Sequence, residues 1–279
     1  QAGEVSVTGS AEISYVQRDS GEITGNPIGM NKNIAFAGSG ELDNGWTVSI
    51  SQGTSDAFAF SSASVSIGMG TLGTITIDGG TGADIGNALD NVMPTAFEEA
   101  DAGFDTGLVD SGGVIGNHGS IKWAAPEMSG AKIYVGYNPS GGSGNTADGA
   151  TGGEVGGGAD AYEVGIDFSP AMIPGLRVGG AMGEYDNGSG ANKDLEEETF
   201  FATYAYGPLT IGYQVAEEDN GTTTYDTDIY GVSFNVNDAL SVSYQYGETD
   251  GYSGGVTAEF TGISAAYNIV PMAIKFTDN

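Results

Sequence analysis

Ser64-Val65-Ser66-Ile67-Gly68-Met69-Gly70 alternates polar and apolar residues, turns at Thr71-Leu72-Gly73, and resumes as Thr74-Ile75-Thr76-Ile77-Asp78. Period-two alternation marks a half-buried strand, and the tight link makes the pair a hairpin. A Gly- and Asp-rich stretch follows, carrying Phe97-Glu98-Glu99-Ala100-Asp101, before alternation returns at Gly119-Ser120-Ile121-Lys122-Trp123. So long an irregular segment is uncommon in a compact domain unless it has a function. The pattern predicts that residues 79–118 form a loop folded into the lumen of a membrane β-barrel, where it narrows the channel.

The same alternation runs outward from this stretch in both directions. Val5, Val7, Gly9, Ala11, Ile13 and Tyr15 share one face of a first strand, against Ser6, Thr8, Ser10, Glu12 and Ser14. Trp46, Val48 and Ile50 alternate with Thr47, Ser49 and Ser51. Tyr162, Val164, Ile166 and Phe168 alternate with Glu163, Gly165 and Asp167. Leu209, Ile211, Tyr213 and Val215 do so with Thr210, Gly212 and Gln214. The links between strands alternate in length. Short ones fall at Asp43–Gly45, Thr71–Gly73, Met128–Gly130, Ser169–Gly175, Gly207-Pro208 and Asn237-Asp238. Long ones fall near Asp19–Asn31, Gly79–His118, Ser140–Gly158, Asp186–Asp194, Glu217–Thr224 and Glu248–Val256. Short turns at one rim and long loops at the other are the plan of an outer-membrane barrel, whereas a soluble sandwich has no reason for this rhythm. Tyr15, Tyr137, Phe168, Tyr206 and Tyr246 stand where strand ends would meet the membrane interfaces. The expected fold is all-β: one antiparallel transmembrane barrel domain over residues 1–279. About fifteen strands can be read, with a sixteenth expected beyond Asn279 and a 14-stranded count as the alternative.

Composition narrows the function classes. The charge is −30, from 37 acids against 7 bases, which speaks against nucleic-acid binding because phosphate recognition rests on Lys and Arg. There is no cysteine, hence no disulfide framework and no thiolate metal site. No apolar run reaches the roughly 18 residues of a spanning helix, so a membrane reading requires a barrel. A start at Gln1 with no apolar leader reads as a mature form after signal removal.

Leu72-Gly73-Thr74-Ile75-Thr76-Ile77 before the long loop, Gly119-Ser120-Ile121-Lys122-Trp123-Ala124-Ala125-Pro126-Glu127-Met128-Ser129-Gly130 after it, and the opening Glu4-Val5-Ser6-Val7-Thr8-Gly9 resemble the general bacterial porins, most of all those of alphaproteobacteria. The resemblance implies a homotrimer in the outer membrane of a Gram-negative bacterium, in contact with lipid and lipopolysaccharide, passing small hydrophilic solutes. It also implies a third long loop that forms a constriction, with its acids facing bases on the wall. Two features depart from that pattern: the C-terminal aromatic is absent, and the wall is poor in bases.

On the loop, Asp78, Asp84, Asp90, Glu98, Glu99, Asp101, Asp105 and Asp110 are candidates for a negative ring that concentrates cations, against the plain alternative of solvated loop charges. Lys122, Lys132, Arg177 and Lys275 share the polar parity and are the candidate basic wall; Lys122 matches the family's base after the constriction loop. Glu217, Glu218 and Asp219 offer hard oxygen ligands for loosely bound Ca or Mg, without EF-hand spacing; no other cofactor is expected. Gly68-Met69-Gly70-Thr71-Leu72-Gly73 fits GxGxxG literally, but a strand follows it where a nucleotide site needs a helix. His118 is the lone histidine, and no nucleophile elbow accompanies it, so no enzyme is expected. The expected function is passive, cation-preferring diffusion. The alternatives are an acidic β-rich surface or adhesin-like protein binding divalent cations, and a substrate-specific porin.

Overall fold

The computed structural model describes residues 3–17, 26–55, 58–78, 89, 92–97, 99–100, 120–139, 160–186, 194–251 and 255–278. Within them the strands are β1 (Glu4–Tyr15), β2 (Ile28–Glu41), β3 (Thr47–Thr54), β4 (Phe60–Gly68), β5 (Thr74–Asp78), β6 (Ile121–Ala124), β7 (Ala131–Asn138) and β8 (Ala161–Phe168). They continue as β9 (Leu176–Asp186), β10 (Asp194–Tyr206), β11 (Leu209–Asp219), β12 (Thr224–Asn235), β13 (Leu240–Gly251), β14 (Val256–Ile269) and β15 (Met272–Asp278). All fifteen form one sheet in chain order, each antiparallel to the next. Such a meander pairs the backbone groups along every shared ladder, which is what a strand needs in order to cross hydrocarbon.

Register fixes the two faces. Val5 lies opposite Gly38, Gly38 opposite Ile50, Ile50 opposite Val65, Val65 opposite Ile77, and Ile77 opposite Ile121. This row is apolar and looks away from the lumen, with Val5 77% and Ile50 56% exposed on the isolated chain. Such surface is stabilised by lipid at about 25 cal/mol per Å2 of apolar area. A slip of one residue would turn the row into the lumen, so the pattern tolerates one register only.

The short turns gather at one rim. At the hairpin between β4 and β5, Gly73 has φ +90°, and a Cβ there would run into the carbonyl of Ala124. Beside it, Trp123 Nε1 donates to Leu72 O at 2.8 Å and ties the indole to that turn. Gly207 allows the turn between β10 and β11, with φ +59°.

Several boundaries differ from the sequence expectation. β2 begins at Ile28 and β4 at Phe60, earlier than expected. The long links expected at Glu217–Thr224 and Glu248–Val256 shrink, because β11 runs to Asp219, β12 starts at Thr224, β13 runs to Gly251 and β14 starts at Val256. Tyr246 consequently lies inside β13. On β11 to β14 the ladder continues after the apolar alternation has stopped, because the outward side chains there are carboxylates.

The sheet curls so far that a side chain of β15 reaches one of β1. Lys275 Nζ on β15 lies 3.9 Å from Glu12 Oε2 on β1. In the strand order, β3 and β4 lie eight strands from β11 and β12, on the other side of the curled sheet. Inside, Leu89, Val92, Met93 and Ala100 cluster with Ala181, Phe201, Ile229 and Phe260 from the wall, so the lumen holds an apolar core of its own.

Candidate functional site: the inward segment and its wall

The residues that make this core break the expected parity. Phe201, Ile229 and Phe260 occupy inward positions, in a register row that reads Gly179, Phe201, Gln214, Ile229, Gly247, Phe260 across β9 to β14. Apolar side chains in a wet lumen are unfavourable unless covered. All three are covered, Phe201 to 4% and Ile229 to 3% exposure. The cover is the inward segment of the long loop, so this wall departs from the alternation of apolar outward and polar inward residues. The signal was present in the sequence as three apolar residues out of step with their strands.

Polar wall residues complete the docking. Gln214 Nε2 donates to Leu89 O at 3.3 Å, and Gln245 Nε2 to Pro94 O at 3.3 Å. In return, Gln245 Oε1 accepts from Ala100 N–H at 2.6 Å. Ser243 Oγ accepts from Ala96 N–H at 2.9 Å, and Ser264 Oγ from Phe97 N–H at 3.2 Å. An irregular segment has no ladder to satisfy its N–H groups, and these side chains stand in for one.

The opposite wall is open and hydroxylated. Ser51 pairs with Ser64 and Ser66 with Thr76, each at 2.9 Å, and Ser10 Oγ donates to Asn33 Oδ1 at 2.9 Å. These inward side chains of β1 to β5 are exposed or half-buried. Space for solute therefore lies between a docked segment on one side and, on the other, a hydroxyl-rich surface that also carries Glu4, Glu12 and Glu41.

The expected site residues distribute as follows. Asp78 ends β5 facing inward and is 1% exposed, so it sits under cover and does not line open water. Glu99, 7% exposed, accepts from Met93 N–H at 3.1 Å and braces the segment from within. Asp84, Asp90, Glu98, Asp101, Asp105 and Asp110 lie outside the described residues, as does His118. Lys122, Lys132, Arg177 and Lys275 all face inward by register. Arg177 grips Asp167 in a bidentate pair, Nε to Oδ1 and Nη2 to Oδ2 both at 3.0 Å, and lies over the Phe201 ring at 5.0 Å. Lys132 lies 5.3 Å from the Tyr134 ring centroid. Glu217 and Asp219 point outward, whereas Glu218 points inward, because three consecutive strand residues cannot share a face.

Two wall carboxylates were not singled out from the sequence. Glu163 on β8 and Glu197 on β10 face inward, both nearly fully buried. They lie in one row with Lys122, in the order Lys122, Gly136, Glu163, Gly183, Glu197. Their strand parity was the available signal. Along the strands, inward Glu4, Glu12, Glu41, Asp78, Glu163, Asp167, Glu197 and Glu218 outnumber the four inward bases.

Comparison with known proteins agrees with this architecture. Residues 1–273 match the family model of Gram-negative porins. Among solved structures, the chain is similar to an anion-selective porin from Comamonas acidovorans, with TM-score 0.68 and 16% identity over 95% of this chain and 85% of that one. It is also similar to OmpF of Salmonella typhi solved with daunomycin, with TM-score 0.66 and 12% identity over 99% and 90% of the two chains. A third is the trimer form of the outer-membrane protein OmpT of Vibrio cholerae, with TM-score 0.62 and 13% identity over 100% and 89%. No curated protein sequence matches the chain.

Proposed function

The chain belongs to the Gram-negative porins, non-enzymatic channels of the outer membrane, and we propose that within that family it passes small hydrophilic solutes with a preference for cations. The observation that carries the preference is the inward charge inventory: carboxylates outnumber bases on the wall, and Glu4, Glu12 and Glu41 are exposed on its open side. In a passage with low-dielectric walls such an excess raises the local cation concentration and repels anions. The fold itself does not decide the sign, since the similar porin from Comamonas acidovorans is anion-selective. The hydroxyl surface of β1 to β5 keeps the open side wet and chemically undemanding, which suits diffusion over tight binding. We further propose a homotrimer, a reading supported by the trimer form of the similar OmpT.

The test is the zero-current potential of detergent-purified protein in a planar bilayer under a salt gradient. Stepwise conductance with a cation-sided potential is the expected result. An anion-sided potential would sink the cation preference and leave the channel standing.

A further inference from the structure

Gly212 on β11 and Gly231 on β12 lie directly opposite one another, one row nearer the short turns than Gln214 and Ile229. Neither has a positive φ, so backbone conformation does not call for glycine at either position. What does is the inward segment. A Cβ at Gly212 would lie 2.5 Å from Pro94 Cδ and 3.1 Å from Met93 Sδ, and one at Gly231 would lie 2.9 Å from Pro94 Cδ. The paired glycines form a notch, and Met93-Pro94 fills it. Further along the same segment, Lys275 Nζ lies 4.2 Å from the Phe97 ring centroid and 3.9 Å from Glu12 Oε2. An ammonium over an aromatic face is attracted by the ring quadrupole. Here that attraction joins the segment to β15, from which the same ammonium also reaches Glu12 on β1.

We propose that Gly212, Gly231 and Lys275 are positioning residues that set the width of the passage from the wall side. The notch fixes how deeply Met93-Pro94 sits, and Lys275 holds Phe97 down at the other end. Lys275 thus acts on permeation through Phe97, and only secondarily as a lumen charge. The inference rests on the reading of the chain as a porin narrowed by its inward segment.

The experiment uses single-channel recordings of the full chain, with the far-UV β signal and detergent-resistant mobility of each variant as the check on folding. Gly212→Ala and Gly231→Ala push Pro94 towards the open side and lower the conductance. Pro94→Ala removes the clashing Cδ, so Gly212→Ala with Pro94→Ala regains conductance, a rescue that a general folding defect would not show. Lys275→Met increases open-channel noise and promotes closure at lower voltage. Phe97→Leu reproduces this, the double variant adds nothing further, and Lys275→Arg restores quiet conduction. The proposal is overturned if wild-type protein conducts while both alanine variants match it. It is equally overturned if Lys275→Met shifts the reversal potential without noise and adds to Phe97→Leu. Absence of conductance in the wild type would instead bring down the porin reading on which it rests.

Discussion

Gln245 concentrates the logic of the docked wall in one side chain. It is 2% exposed, accepts from Ala100 N–H and donates to Pro94 O, so both ends of its amide are committed to the inward segment. Gln245→Leu keeps the volume and strands two buried backbone groups, a loss of roughly 1–3 kcal/mol for each unsatisfied group. That loss falls on local opening of the segment and leaves the barrel intact. The expected outcome is faster hydrogen exchange at the Ala100 amide, by about tenfold to a hundredfold on the same scale, with amides on β13 and β14 unaffected. The sequence was informative at this scale only in part. Parity puts Gln214 and Ser243 on the polar side of their strands and says nothing of what they touch. Their partners, Leu89 and Ala96, lie far away along the chain, and no periodicity connects an irregular segment to the strand that receives it. Phe201, Ile229 and Phe260 were the better clue, being apolar where the alternation called for polar.

At the scale of elements, β9 to β14 carry an outward belt of carboxylates towards the long-loop rim. Glu184 faces Glu196, which faces Asp219. Glu198, Glu217, Asp226 and Asp250 form a row, and so do Asp228, Glu248 and Glu259. Like charges directly opposite one another destabilise a sheet by roughly 0.2–1 kcal/mol per pair. Tyrosine hydroxyls relieve some of this: Tyr162 donates to Glu184, Tyr213 to Asp228, and Tyr246 to Glu248. Glu217 has carboxylate neighbours on both sides, so Glu217→Gln should raise the thermal midpoint at low ionic strength. The gain should vanish near 1 M salt, where the Debye length is about 3 Å; circular-dichroism melts at two salt concentrations check both statements. The belt also explains why the ends of these strands were illegible. Apolar alternation reports lipid contact, and it stops where the outward face leaves the hydrocarbon, several residues before the hydrogen-bond ladder does. Glu217, Glu218 and Asp219 therefore looked like one loop cluster, while the strand sends them to two different faces.

For the whole molecule, the two sides of the barrel are unlike both inside and out. The inward segment docks on β9 to β15 and leaves the hydroxyl wall of β1 to β5 open. The overall plan was the most legible level, because hairpin rhythm and alternation are written locally in every strand, and fifteen strands were countable from them. Which wall receives the loop was not, since that depends on curvature bringing distant strands together. Outside, the outward positions of β1 to β5 carry no carboxylate, and Phe36, Ile50 and Val65 are exposed there. Copies of the chain should therefore approach through this sector. Ile50→Cys or Val65→Cys should cross-link between copies in membranes, and Ile211→Cys or Tyr230→Cys should not; non-reducing gel mobility distinguishes the two. The one-sided belt has a further consequence. A chain whose described strands carry outward carboxylates on one flank and none on the other has an electric moment lying in the plane of the membrane. In a three-fold assembly built through the other flank these moments cancel and the belts turn outward, so each assembly presents a negative perimeter and neighbours should keep apart more at low ionic strength than at high.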